Sequence, residues 1–390
     1  MKFSTVKLGD YLYIKGRIGW KGLKKSEYIN DGNFRIINGE SLTKDGIDWS
    51  KSGFITRERY EESPEIMLRE GDILISKDGT IGKLGYIDHL EMPSTVASGI
   101  FVLRNLKPEI INTRFIYNYL SSIYFKNFIT ARTEGSVIPH LYQKDFVDLD
   151  FPLPKLDIQD KIVDILDAIA YKIELNNKIN NNLEEQARAL FRNLFSDNNE
   201  YKTVTLGNVT KNIRDRVGDD NVTVLSAVNT GKLQPSDTFF TKRVYSKDIS
   251  KYITVKEGSF AYNPARINIG SIGINDLGIT GCVSPVYVVF DVDSDYRSFF
   301  EFYFKTAIFK AETMLRASGS VRQSLNYNDF TLIDIKYPDR GTAQFFNKFW
   351  TKQKSIISHL NRENERLSEL RDTLLPKLMS GEIDVSNITI

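Results

Sequence analysis

The strongest constraint on this chain is that it is written twice. "EGDILISKDGTIGKLGYI" from Glu70 lines up with "EGSFAYNPARINIGSIGI" from Glu257, so that Gly82 and Gly85 fall on Gly270 and Gly273. "ASGIFVLRN" from Ala97 matches "VSPVYVVFD" from Val283, and "GSVIPHLYQKDFVDLDFPLP" from Gly135 matches "GSVRQSLNYNDFTLIDIKYP" from Gly319. The opening "TVKLGD" at Thr5 is echoed by "TVTLGN" at Thr203. Two copies at a long period mean two similar domains in tandem, since a solenoid needs at least about three short repeats. Both copies keep one order: an irregular β-rich segment with Gly and Asn turns, an apolar helix, a polar Gly-Ser loop, a short strand and a proline exit. The fold class expected is α+β.

The glycine-dotted run "ISKDGTIGKLGYI", Ile75 to Ile87, invites comparison with a phosphate-binding loop. That loop needs GxxxxGK[ST] between a strand and a helix, so that backbone N–H groups surround the phosphates. Here Lys77 stands where the first glycine belongs and Leu84 where the hydroxyl belongs, and the β-branched, aromatic continuation starts no helix. The simpler expectation is a hairpin: strand "DILIS", turn "KDGT", strand "KLGYI", with glycines serving tight turns and close backbone approach. The second-copy "YNPAR", Tyr262 to Arg266, is a partial match to the NPP[YF] loop of amino-methyltransferases, but lacks the second proline and the closing aromatic.

Composition narrows the class. The 390 residues are 41% hydrophobic and 12% aromatic, enough for two or three cores. Charged residues are 26% with a net charge of +2, which excludes a histone-like excess of positive charge but not a local basic cleft. The lone Cys282 excludes an internal disulfide, and His89, His140 and His359 lie too far apart in sequence to suggest a metal site. The opening has no apolar core of signal-peptide length and no window reaches a membrane-spanning run, so a cytoplasmic protein without membrane contact is expected.

A long helix is expected after each copy. Residues from about Gln159 to Ser196 contain no Pro or Gly and carry two apolar columns alternating at three and four residues. One is Ile162, Ile169, Asn176, Leu183 and Leu190; the other is Leu166, Ile173, Asn180, Ala187 and Leu194. In the second half the columns are Phe346, Gln353, Leu360, Leu367, Leu374 and Trp350, Ile357, Asn364, Arg371, Leu378. This is a coiled-coil seam. About 38 residues make a rod of about 57 Å. In an antiparallel pairing Asn176 faces Asn364 and Asn180 faces Leu360. Such Asn residues either fix register or sit where the seam is wet.

No catalytic constellation emerges, and the residues left over are basic and amide side chains near aromatics on the irregular parts of both copies. They are Lys15, Arg17, Lys21, Lys24, Lys25, Arg35, Lys77, Lys83, His140 and Lys144 in the first half. In the second they are Arg214, Arg216, Lys242, Arg243, Asn263, Arg266, Asn268, Arg322 and Gln323. Arg reads guanine bidentately, Asn and Gln read adenine, and Lys mostly holds phosphates. Taken singly, each reads more often as an ordinary surface residue; recurrence at matching places in two copies improves the odds of contact with double-stranded DNA but does not by itself prove it.

Several words then carry a resemblance. "FPLPKLDIQDKIVDILD", through Pro152, Pro154, Leu156 and Gln159, resembles the lead-in to the first helix of the specificity subunits of type I restriction–modification systems. "LRDTLLPKLMSGEIDV", Leu370 to Val385, resembles the end of their second helix, and "GDILIS" with "IGKLGYI" resembles the core of their target recognition domains. The resemblance implies recognition domains over 1–155 and 198–340, a first spacer helix over 156–197, and a second helix with a tail over 341–390. It implies that the helices pair as an antiparallel coiled coil and that each domain reads half of a bipartite, asymmetric DNA target. Two adenine methyltransferase subunits and motor-endonuclease (restriction) subunits would be the partners, with AdoMet, ATP and Mg on them and none in this chain. The second half departs from the pattern: "IKYPDRGTAQFF" keeps only Pro338 and Gln344, so the start of that helix is less secure. A coiled-coil scaffold without DNA specificity, and an enzyme with a degenerate nucleotide or methyl-donor loop, are the competing expectations.

Overall fold

The computed structural model describes residues 3–19, 22–43, 46–133, 140–195, 200–218, 220–228, 230–239, 245–316 and 324–388. Contacts divide the chain into two units, Met1–Leu175 with Arg362–Ile390, and Asn176–Asn361.

In the first unit a four-stranded antiparallel sheet is ordered Leu12–Gly16, Ile100–Asn105, Ile73–Ser76, Leu84–Tyr86. The expected hairpin is present, with Ile73 opposite Tyr86 and Ile75 opposite Leu84. Its glycines do what the sequence requires of them. Gly82 has φ 83°, and a Cβ on Gly85 would stand 2.5 Å from Ile47 Cγ1. Because successive strand residues face opposite ways, Ile73 and Ile75 enter one core with Phe115, Phe146 and Phe151, while Leu74 enters another with Ile37, Leu42 and Val102. A three-stranded sheet, Gly53–Phe54, Arg35–Ile37 and Ser94–Val96, borders this second core.

The second unit repeats the plan. Its sheet is ordered Thr210–Ile213, Val288–Val292, Phe260–Tyr262, Ile272–Ile274, with Phe260 opposite Ile274. Gly270 has φ 84°, matching Gly82, and a Cβ on Gly273 would stand 2.5 Å from the Lys232 backbone, matching the close approach at Gly85. The core here is far more aromatic: Phe260, Phe290, Phe299, Phe300, Phe302, Phe309 and Phe330 pack together.

Both long helices form, Leu156–Leu194 with 39 residues and Arg340–Ser380 with 41. Each is shared between the units, and each unit holds one antiparallel stretch of the pair. In the first unit Ile158, Ile162 and Leu166 share a core with Leu375, Leu378 and Met379, and the tail adds Val385. Gly381, at φ 76°, ends the second helix: its N–H donates to Leu378 O and that of Ile383 to Lys377 O, a Schellman-like stop. In the second unit Ala187 and Phe191 pack with Phe346, Trp350 and Ile357.

The seam is graded along its length. Ile162, Leu166, Ile169, Asn176, Asn180, Ile357 and Leu360 are buried, whereas Ile173, Leu183, Leu190, Asn364, Leu367 and Leu374 are half-buried. Asn180 Nδ2 donates to Asn361 Oδ1 at 2.8 Å, so Asn180 meets the residue beside Leu360. Toward its end the first helix buries Phe191, one position past the expected Leu190, because the aromatic core draws that ring in: Phe191 lies 5.4 Å from Phe302 and 5.6 Å from Phe346.

The burial of the second helix's last turns has a measurable consequence. Leu378→Ala opens a cavity in the first unit's core and should lower the unfolding free energy by about 2–5 kcal/mol, read as a fall in the urea midpoint at unchanged slope. Lys377→Ala, with an exposed side chain one residue away, should stay within about 0.5 kcal/mol.

Candidate nucleic-acid interface

In the first domain the chain after the hairpin's first strand is strapped to the later polar segment. Lys77 N–H donates to Gly99 O at 2.9 Å, and Lys77 O accepts from Leu141 N–H at 3.1 Å. This brings three of the expected residues together. Lys77 Nζ stands 4.8 Å from the Phe101 ring centre; His140 Nδ1 pairs with Asp78 and its ring lies 4.6 Å from that of Tyr142; Lys144 Nζ is 5.7 Å from the same Tyr142 ring. Gly16 gives this cluster room, since a Cβ there would come within 3.0 Å of the Phe101 ring.

The other expected residues of this half lie apart from it. Lys15 points to the opposite sheet face from Gly16, its Nζ 5.8 Å from the Tyr13 ring. Arg17 is buried: Nε donates to Val96 O at 3.1 Å and Nη1 to Ser63 Oγ at 3.2 Å. Burial, then the nearby Arg59 charge, pulls its pKa below the usual guanidinium range, and its charge serves the interior. Arg35 stacks over Trp49 at 5.2 Å and reaches Glu91 at 3.7 Å; Lys83 Nζ donates to Gly39 O at 3.3 Å; exposed Lys24 begins a short turn closed by Glu27. Lys21 lies outside the described residues.

The second domain repeats the strap at the matching place: Pro264 O accepts from Leu325 N–H at 3.2 Å. Beside it opens a cleft of about 520 Å³ lined by Asn212, Arg214, Arg216, Lys251, Pro264, Tyr287, Asn326 and Tyr327, among others, with no acidic residue among the described residues of its lining. Arg214, Arg216 and Lys251 are exposed, and their side chains make no hydrogen bond or ion pair among the described residues. They are brought together by backbone pairing, with Arg216 bridged to Ile253 and Val217 N–H donating to Tyr252 O at 2.9 Å. Unpaired cations beside aromatic faces and amides suit phosphates and base edges.

Half-buried Asn263 accepts from Ala265 N–H at 3.1 Å, capping the turn Pro264–Ile269 that carries exposed Arg266 and half-buried Asn268. Tyr262 of the same motif is buried among Phe290 and Phe330, and burial raises its hydroxyl pKa. Lys242, Arg243, Arg322 and Gln323 lie outside the described residues. Sequence reasoning missed Lys251, Tyr287 and Tyr327. The usable signal was the strand lead-in "SKYITV", which has to pair with the Arg214–Arg216 segment.

Among the described residues no group of three or more His, Cys, Asp or Glu is placed to hold a metal ion, and no helix is long and apolar enough to cross a membrane.

The duplicated sheet plan, the matching straps and the two long helices give two similar domains, each packed on one stretch of a helix pair. Residues 2–185 match the type I restriction modification DNA specificity domain. Across 97% of this chain and 96% of the other, the fold superposes on the type I restriction–modification S subunit of M. genitalium with a TM-score of 0.60 at 15% identity. The type I restriction enzyme MjaVIII specificity subunit of Methanocaldococcus jannaschii is 27% identical over 200 residues, 50% of this chain and 45% of that relative. The MjaIX specificity subunit of the same organism is 22% identical over 367 residues, 86% of this chain and 82% of that relative. Sequence words, the match over residues 2–185 and the fold each make this chain similar to type I restriction–modification specificity subunits. The alignment to the MjaVIII subunit spans less than half of that relative's length.

Arg17 and Lys144 separate interior from interface. Arg17→Ala should lower the unfolding free energy by about 2–4 kcal/mol, because Ser63 and Val96 lose a buried donor. Lys144→Ala should change it by less than about 0.5 kcal/mol. Chemical denaturation of both variants checks this.

Proposed function

We propose that this chain is the DNA-reading subunit of a type I restriction–modification complex. Each domain contacts one half of a bipartite, asymmetric target, and the helix pair sets the unread gap. The observation that carries this is the repetition of one device: a strapped, cation-lined and aromatic-lined edge at the matching place of two domains, Lys77 with His140 and Lys144 in one and Arg214 with Arg216 and Lys251 in the other. A scaffold has no use for basic and aromatic side chains gathered beside the same strap in both domains yet carried by different residues.

In this reading two adenine methyltransferase subunits and the restriction subunits carry the chemistry. AdoMet, ATP and Mg bind to them, and this chain supplies position and sequence choice. Phosphate contacts fix orientation while base edges specify, so the two kinds of contact separate by experiment.

The test is a genome-wide map of methyl-adenine in a host lacking its own adenine methylases, with the partner methyltransferase expressed with and without this chain. A split motif of two short halves around a fixed gap, present only with the chain, is expected; identical methylation without it would leave the scaffold reading. Within that assay Arg216→Ala should relax one half-site only, at about 1–3 kcal/mol per lost base contact. Lys251→Ala should leave the motif intact and reduce the salt slope of binding by about 1.

A further inference from the structure

The second helix begins without the proline-leucine-proline lead-in of the first, and the structure holds it differently. In the first domain the lead-in glutamine, Gln159, is buried and neutral ties converge on it. Its Oε1 accepts from Asn112 N–H at 2.8 Å, and its Nε2 donates to Ile110 O at 3.0 Å and Pro154 O at 2.9 Å. The second-half counterpart, Gln344, is exposed and donates to Asp295 at 2.9 Å.

The buried polar tie of the second domain lies about two turns further on and is ionic. Glu301, on the short helix Arg297–Tyr303, is 2% exposed. Its Oε2 accepts from Trp350 Nε1 at 2.9 Å and Lys354 Nζ at 3.0 Å, two donors one turn apart on the long helix. Lys305 Nζ lies 3.8 Å from Oε1, and Asp276 lies 4.0 Å from Lys354, so two acids face two bases. Gly231, at φ 80°, makes space for this: a Cβ there would stand 2.2 Å from Lys305 Cε. Burial opposes ionisation of Glu301, but the Lys354 and Lys305 charges with the Trp350 and Lys354 hydrogen bonds hold its pKa below the usual carboxylate range.

The domain and helix also share the faces of Phe302, Phe346 and Trp350, with Phe302 edge-on to Trp350 at 5.1 Å. That packing supplies most of the attraction, but hydrophobic contact is non-directional. A desolvated carboxylate with two donors on one helix face is directional, and displacing it strands a charge. Buried ion pairs add little net stability over apolar replacements, so orientation is what this cluster contributes.

We propose that the Glu301–Trp350–Lys354 cluster is the positioning joint of the second domain, fixing the angle at which it meets its helix and so the single gap length between the half-sites. This rests on the reading under Proposed function. One base pair changes the gap by about 3.4 Å and rotates the half-site by roughly 35°, so a joint that tolerates less than half that rotation enforces one gap.

The test uses the full chain with its methyltransferase partner in the methyl-adenine map, comparing wild type with Glu301→Gln, Lys354→Met and Trp350→Phe. Each weakens one arm of the joint, and Trp350→Phe keeps the ring that packs on Phe302. Methylation at sites with both half-sites intact but a gap one base pair longer or shorter should rise roughly tenfold relative to the normal gap. The half-site sequences should be unchanged. If variants lose methylation in proportion at all sites, with the gap as strict as in wild type, the cluster is merely structural and the proposal is overturned. A wild-type map with no split motif overturns the functional reading and this joint with it. Thermal unfolding of each variant identifies any that fails to fold, and the remaining ones decide.

Discussion

Everything in this molecule depends on the burial of two helical faces that neither helix can bury alone. A polar rod with one apolar stripe is unstable in water until the stripe is covered. Here the cover is double. Each helix covers the other along the seam, and each domain core takes in seam residues: Ile162 and Leu166 with Leu378 in one, Ala187 and Phe191 with Trp350 in the other. Domain and spacer are therefore one folding unit on each side, not beads on a rod. The polar layer of Asn176, Asn180 and Asn361 marks the stretch where neither domain core reaches the seam.

The near-balance of charge has a structural basis. Many cations are neutralised inside the fold or along its own surface, as Arg104 is by Asp72 at 2.7 Å and Arg114 by Asp88 and by Asp167 at 3.3 Å. A few, as at Arg214, Arg216 and Lys251, are gathered at one cleft and make no ion pair within 4 Å among the described residues. Net charge averages over both populations, whereas a polyanion responds only to the second. The small excess of +2 is thus compatible with a strongly positive cleft.

Sequence resolved the parts governed by short-range rules. The hairpin followed from alternation and glycine, because Gly82 must adopt positive φ and Gly85 must admit Ile47. The helices followed from their period. It did not distinguish Arg17 from Lys144, since an arginine bound for Val96 O and Ser63 looks in sequence like one bound for solvent. Nor did it locate Lys251, which reaches its cleft through a strand pairing with a segment far away in the chain. The weak lead-in at Gln344 was legible as an absence, but its compensation at Glu301 was not: that tie joins residues from separate helices, and no local pattern announces a buried carboxylate.

The placement of residues 374–385 bears on how the molecule is made. Leu375, Leu378, Met379 and Val385 belong to the core begun by residues 8–166, while the second unit is one uninterrupted stretch, Asn176–Asn361. On the ribosome, at about 5–20 residues per second, the later domain has all its core residues before the earlier one does. A message cut or frameshifted near codon 370 would yield a whole second domain and a first domain missing part of its interior. Such a product would expose the apolar surface that Leu375, Leu378, Met379 and Val385 otherwise cover.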